Sequence, residues 1–445
     1  GEGWGEGGFR ATITALVDTF EHAKTFGSLI QIPDALMTHL AVLPEVLALV
    51  KQSGDMYASA AADDLLPLVQ QAQMLAMQFD AVVANPPYMG SGYFNLVLKN
   101  FVNDAYPDGK ADLYSAFTLR NLLLGKQCAN IGMITIPNWM YLASFESFRS
   151  ELNVQCSISS LLHNGRGIFG SDFGSSAFCL NKGVTSLNGA FLKLFDKQGS
   201  VSDNEEIERR FHTSKPFISS TTRHEKISGK PIAYWASEKV VSAFAQQMQL
   251  EEISKPRVGL QTGDNNKFLR LWHEVDVSRI GFSLKPDEVD SHTPFRWFPY
   301  NKGGAFKRWY GNSEWIVNWE NDGNEIRKFG AEDGGKPRSR AQNTSFYFRP
   351  SISWSKVTIG AFSVRYYPTG HLFDVAGCSL FLDTKEELLG VLGLLNSVVT
   401  KPFLSDIAQS VNFEVGQIAG IPLPKDHKEV FSNCCDGVEK AIALS

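Results

Sequence analysis

The chain lacks any apolar run close to the ~20 residues that span a bilayer, and its opening residues carry no secretory-signal pattern. Its six cysteines (Cys128, Cys156, Cys179, Cys378, Cys434 and Cys435) are scattered. They form no Cys-x-x-Cys pair of the metal-binding kind and no dense disulfide framework. Thiols so placed read as reduced packing side chains of a cytosolic protein, and adjacent Cys434 and Cys435 as chance neighbours. The nine histidines make neither a triad nor a metal spacing, so no metal site is expected. His163, followed by Asn164 and Gly165, reads as a turn residue. There is no internal repeat and no endonuclease-type carboxylate–lysine cluster. Charge of one sign is missing too: 42 Lys and Arg stand against 47 Asp and Glu, a net of -5. Any affinity for a polyanion must therefore come from a local patch.

The 445 residues are 43% apolar and 20% charged, a globular composition with room for two or three domains. The start, "GEGWGEGG", has no initiator Met and reads as a lead-in or the cut end of a longer protein. Residues 11–50 and 55–78 have helical periodicity, with Pro67 as a start or kink. A buried strand, Ala81–Ala84, is then expected. "ADLYSAFTLRNLLLG" is a helix with Asp112 at its N-terminus, where a carboxylate suits the dipole. Ile131–Ile136 is a second buried strand, "YLASFESFRSELN" a helix, and "SISSLLHNG" and "SSAFCLNKG" two more strands. This alternation predicts an α/β fold with a mainly parallel sheet and helices on both faces. From Lys230 the texture changes: tryptophan, tyrosine and Gly/Asn turns multiply, indicating a second, mixed α/β domain. Within it Thr384 and Glu387 form a capping box for a helix. The expected domains are 1–215, 225–425 and a helical tail, 426–445.

The most informative stretch is "DAVVANPPYMGSGYFN", Asp80–Asn95. A strand ends on Asn85, two rigid prolines, Pro86 and Pro87, and the ring of Tyr88. Ligands of such sheets bind beyond the carboxyl ends of strands. The Asn85 amide oxygen and the Pro86 carbonyl are both acceptors, and the prolines hold them close together. Two acceptors on one exocyclic amino group would bind both of its hydrogens and turn its lone pair toward a third partner. Tyr88 would stack on a planar ring. A plain strand-ending turn is the simpler alternative.

With these residues in place the sequence resembles the amino-methyltransferases that use S-adenosylmethionine. "VVANPPYMGSGYFN", "YPDGKADLYSAF" and "IGMITIPNWMYLASFESFR" are similar to the large adenine-specific methyltransferase of bacterial BREX phage-defence systems, related to type IIG restriction-modification enzymes. "GLQTGDNNKFLRLW", "WFPYNKGGAFKRWYGN" and "VNFEVGQIAGIPLP" extend the resemblance to most of the chain. It implies a partial Rossmann-like methyltransferase domain followed by a target-recognition domain. It implies Asn85, Pro86, Pro87 and Tyr88 as catalytic residues, and Tyr88, Phe169 and Asp112 around a flipped adenine. Double-stranded DNA is the implied partner, together with other defence-system proteins, and no membrane. The family's "DPACGSG"-like loop, which wraps the methionine end of the cofactor, has no counterpart here. Asn85 is the single candidate cofactor contact, and the chain reads as a fragment.

Between Arg296 and Arg365 there are twelve basic and six acidic residues, a local excess of +6. With the resemblance this marks a DNA-facing region. Lys302, Lys307, Arg308, Lys336, Arg338 and Arg340 are the candidate phosphate contacts, the last three on a flexible "GGKPRSR" loop. Asn301, Asn312, Gln342 and Asn343 are candidates for reading base edges. Trp297 and Trp309 read as core residues. The leading function is a site-specific adenine-N6 DNA methyltransferase of a defence or restriction-modification system. The alternatives are a DNA-recognition fragment without activity of its own and, less favoured, a protein-glutamine methyltransferase.

Overall fold

A computed structural model of the chain describes residues 6–168, 174–196, 203–331, 334–358, 360–408 and 412–445. They form two units, Gly1–Arg223 and His224–Ser445.

The first unit opens with helices, the longest being Glu6–Phe20, Leu43–Lys51 and Met56–Ala76. Their apolar stripes bury Leu16, Leu36, Leu43, Leu47 and Val69 in one core. Asp55 starts the third helix by accepting from the backbone N–H groups of Tyr57 and Ala58, satisfying donors that a helix start leaves unpaired. This helix runs through Pro67 rather than beginning there.

Six strands follow: β1 (Phe79–Ala84), β2 (Gly125–Thr135), β3 (Cys156–Gly165), β4 (Ser175–Lys182), β5 (Asn188–Lys193) and β6 (Phe217–Ser220), in the order β1-β2-β4-β3-β5-β6. β1/β2 and β3/β5 are parallel, while β2/β4, β3/β4 and β5/β6 are antiparallel. The sheet is therefore mixed, not mainly parallel. β4 turns back from β3 and inserts between β2 and β3, a step invisible to strand–helix alternation.

The expectation of helices on both faces also needs correcting. In β2, Ala129, Ile131, Met133 and Thr135 are buried while Gly132 and Ile134 are partly exposed. In β4, Ser176, Phe178 and Leu180 are buried while Ala177 and Cys179 are partly exposed. Such alternation marks a sheet covered on one face. The helices Leu113–Leu124 and Glu146–Gln155 pack against it. β1 is not buried: it is the sheet's edge, with Phe79, Ala81 and Val83 exposed, Val83 at 84%. His163 lies inside β3, buried edge-on to Phe195 at 4.7 Å, rather than in a turn.

The second unit contains β7 (Lys255–Arg257), β8 (Leu269–Leu271), β9 (Trp297–Asn301), β10 (Trp315–Asn318), β11 (Ser351–Trp354), β12 (Val364–Tyr367), β13 (Leu372–Phe373) and β14 (Ser379–Phe381). They form two four-stranded sheets, β13-β9-β10-β8 and β12-β11-β14-β7. Phe298, Tyr300, Trp319, Tyr347 and Phe373 fill one core. Trp354, Leu380, Leu388, Leu392 and Leu423 fill the other.

Thr384 caps the helix Lys385–Asn396 and bonds Glu387 through both its backbone and its side chain. The last helix, His427–Ala443, is no free tail, because Phe431 and Val438 enter that second core. Gly390 permits it: a Cβ there would fall 2.1 Å from the Phe431 ring. No single helix among the described residues is long and apolar enough to cross a membrane.

Candidate functional site

Asn85 follows the last residue of β1 directly. Pro86 is buried and fixes the chain, whereas Asn85, Pro87 and Tyr88 are exposed, Tyr88 at 45%. The loop is then tied down from the other side. Asp112, buried at the N-terminus of the helix Leu113–Leu124, accepts from the N–H of Met89 at 3.0 Å and of Tyr114 at 3.3 Å. Leu113 N–H donates to the Met89 carbonyl at 2.9 Å, and Ser91 N–H to the Ala111 carbonyl at 3.1 Å. The two segments are stitched together over Met89–Ser91, one residue beyond the tyrosine.

The Tyr88 hydroxyl lies 3.1 Å from Asn85 Oδ1 and 3.4 Å from the Ile134 carbonyl. Burial holds its ionisation above the usual tyrosine range, so at neutral pH it is a donor. An amide oxygen has two lone pairs, so Asn85 Oδ1 keeps one for a ligand while Tyr88 occupies the other. The ring of Tyr88 meets Tyr114 edge-on at 6.1 Å, and Tyr114, fully buried, stacks on Phe145 at 5.5 Å. This aromatic support, and the Tyr88–Asn85 hydrogen bond, are not evident in the sequence. In the sequence Tyr114 is marked only by the likeness of "KADLYSAF", with Asp112, to a family segment that borders the active site, with plain helix packing as the equal alternative. Asp112 faces the back of the loop, with its carboxylate committed to the backbone. Burial raises its proton affinity against the pull of the Met89, Tyr114 and Leu113 N–H groups. Phe169 lies outside the described residues.

Beside Asn85 the uncovered sheet face forms a hollow of 420 Å³. Val83, Ala84, Ile134, Leu162, Ala177 and Phe178 make it apolar, and Asn85 and Ser160 are its hydrogen-bonding side chains apart from the Cys179 thiol. S-adenosylmethionine carries an ammonium, a carboxylate, a sulfonium and a ribose diol. Among the described residues no charged side chain lines this hollow, and a charged group left without a partner is costly to desolvate. The lining does not fit the whole cofactor.

In the second unit, several of the twelve basic residues are already engaged. Arg327 pairs with Asp322, Arg296 approaches Glu320 and Glu325, Lys356 pairs with Glu414, and Arg365 is fully buried. Lys307, Arg308, Lys336, Arg338 and Arg340 are exposed, and Lys302 lies 4.3 Å over the Trp315 ring. Among the described residues none of these six makes an ion pair.

The "GGKPRSR" segment is anchored rather than freely hinged. Ser339 is buried and bonds the Ile326 carbonyl, and Arg340 exchanges two backbone hydrogen bonds of 2.9 Å with Gln261. The four amides expected to read bases each spend an N–H on the fold; Asn301 and Asn312 are buried, Gln342 is half-buried and Asn343 is exposed. Asn301 donates to Ser353 and Gly377, Asn312 to Ala305, Gln342 to Gly259 and Asn343 to Val258. Asn and Gln in turn-rich loops often satisfy backbone carbonyls, and a sequence does not distinguish such an amide from a free one.

Asn85 and Tyr88 thus stand beyond a strand end, backed by stacked rings, in a chain whose second unit carries exposed cations without ion pairs among the described residues. Residues 42–169, which include this loop, match the family of Eco57I restriction-modification methylases. More particularly, 376 residues are 35% identical to the adenine-specific methyltransferase PglX of Lacticaseibacillus casei (strain Zhang), covering 82% of this chain and 31% of that protein. Over 435 residues the chain is 33% identical to the adenine-specific methyltransferase BrxX of Escherichia coli O9:H4 (strain HS), covering 96% of this chain and 34% of that one. The chain thus spans about a third of the length of these curated relatives.

Two solved restriction-modification enzymes share the fold. The type IIL enzyme MmeI, in complex with DNA, superposes with a TM-score of 0.52 at 10% identity over 82% of this chain and 50% of its own. A nuclease-deletion mutant of the type ISP enzyme LlaGI, with a DNA substrate mimic, gives 0.51 at 12% identity over 88% and 36%.

Proposed function

We propose that this chain supplies the target-base site and the target-recognition unit of a site-specific adenine-N6 DNA methyltransferase of a phage-defence or restriction-modification system. The observation that carries the reading is Asn85-Pro86-Pro87-Tyr88 directly after β1, with Tyr88 exposed and its hydroxyl on Asn85 Oδ1; the Asn85 amide oxygen and the Pro86 carbonyl are its two acceptors. An adenine turned out of the duplex would lie against Tyr88 and donate its N6 hydrogens to these two acceptors. The Tyr88 hydroxyl, bonded to Asn85 Oδ1, orients the amide so that its oxygen, not its NH2, faces the base. S-adenosylmethionine is the methyl donor of the whole enzyme, in which these strands form part of a Rossmann-like domain. Double-stranded DNA would run along Lys302, Lys307, Arg308, Lys336, Arg338 and Arg340, and other defence-system proteins would act with the complete enzyme.

A second reading is favoured by the apolar hollow next to Asn85. By itself this chain would recognise DNA and present the base without transferring a methyl group. Calorimetric titration with S-adenosylmethionine separates the two. Absence of heat, with duplex binding retained, supports the second reading for the isolated chain; saturable binding supports the first. A chain that binds duplex DNA with no dependence on salt would overturn both, because phosphate contacts impose a steep salt slope.

A further inference from the structure

The second unit holds a cavity of 390 Å³ that the reading above leaves unused. Its floor is the cross-strand pair Pro299 on β9 and Ile316 on β10. Its walls are aromatic: Trp272, Phe282 and Tyr310 line it, yet they are 46%, 48% and 38% exposed. Large rings kept open to water around one cavity are unusual for a core and common for a binding site.

Two polar groups stand among these rings. Ser313 Oγ is buried and has no hydrogen-bond partner among the described residues, an arrangement that is costly unless a ligand supplies one. His371 Nδ1 lies 3.1 Å from the Pro368 carbonyl. A carbonyl only accepts, so Nδ1 carries the proton and, in the neutral ring, Nε2 is left as an acceptor. Burial pushes the His371 imidazole down to about 4, which keeps it neutral at physiological pH. One donor and one acceptor between flat apolar walls match the edge and the faces of a heterocycle.

The cavity is rigidly framed. Ser283 and Asn312 hold φ of 58°, and Trp309 holds 70°. Gly370, at φ 102°, approaches so closely that a Cβ would sit 2.6 Å from the Ser283 nitrogen. The Tyr367 hydroxyl pins the Tyr310 loop through the Gly311 and Asn312 carbonyls. Strained, non-glycine left-handed backbone gathered around an open cavity is typical of ligand sites. Lys307 and Arg308, on the loop that carries Tyr310, are exposed cations without ion pairs among the described residues. They favour an anionic polymer over an apolar peptide as the occupant.

We propose that this cavity receives one unstacked nucleobase of the bound DNA, separate from the base presented to Asn85, by stacking against Trp272 and Tyr310. The proposal rests on the reading that this unit binds DNA. It would let the protein hold a duplex whose local stacking is already broken.

The test uses the full chain with two fluorescent duplexes, one carrying a single bulged 2-aminopurine and one fully paired. Stacking in the cavity predicts quenching of the bulged probe and tighter binding of that duplex. Trp272→Ala should abolish the quenching and weaken bulged-duplex binding about tenfold, the size of one lost base–aromatic stack, while paired-duplex affinity stays the same. Its melting temperature checks the fold, and Ser313→Ala should weaken bulged-duplex binding in the same direction. Unchanged quenching in Trp272→Ala, or quenching lost only in Tyr88→Ala, would overturn the cavity proposal and leave the DNA reading intact. Failure of the wild-type chain to bind either duplex would overturn both.

Discussion

At the residue scale the site depends on one buried carboxylate. Asp112 holds Met89, the residue after Tyr88, and the first turn of the following helix. Burial raises its proton affinity in the folded chain. The protonated form is therefore favoured by folding, and this contribution is present below the unfolded value of about 3.9 and lost as pH rises through the folded one. Asp112→Asn keeps the group neutral at every pH. Denaturant midpoints of the two proteins should converge near pH 4, and the variant should gain on the wild type as pH approaches 7. A constant difference across that range would contradict the assignment. The Tyr88 hydroxyl is a second such detail: its bond to Asn85 joins two residues that the motif places side by side without assigning a contact.

At the scale of elements, β1 and β3 carry the consequences. β1 presents an unpaired edge and an exposed Val83, the features by which strands recruit other strands. Val83→Lys should leave the melting temperature nearly unchanged, since exposed positions shift stability by about 0.5 kcal/mol or less. It should also lower self-association in sedimentation velocity; equal association in both proteins would mean that the edge is not the sticky surface.

β3 buries His163, whose imidazole burial, with help from Lys193, holds down at about 3. The unfolded chain takes up that proton near pH 6.5, at about 1.4 kcal/mol per pH unit. Stability from this group is complete above pH 6.5 and falls as pH drops toward 3. Thermal midpoints should decline over that window in the wild type and more gently in His163→Gln.

At the scale of the molecule, an acidic chain carries a basic field on one of its units. The excess of +6 between Arg296 and Arg365 counts residues that the fold spends on internal pairs, such as Arg327 with Asp322, and one, Arg365, that is buried. What remains exposed includes Lys336, Arg338 and Arg340 on a segment anchored at both Ser339 and Arg340. Replacing these three by Gln should weaken duplex binding uniformly across sequences. The slope of log affinity against log salt should fall by roughly one for each contact removed. A loss confined to one DNA sequence would mark them as base readers instead.

Local chemistry was legible from the residues alone. Asn85-Pro86-Pro87-Tyr88 marks a strand end, and Asp112 and Thr384 mark helix starts. Each depends on neighbours a few residues away, where propensity and capping act. The remaining features needed the tertiary structure. β4 inserts between β3 and the more distant β2, β1 is an edge, and Asn301 and Asn312 spend their amides inside the fold. These outcomes depend on which distant segments meet. A strand's pattern does not tell whether a neighbour will cover it, and an amide's identity does not tell which carbonyl will arrive beside it.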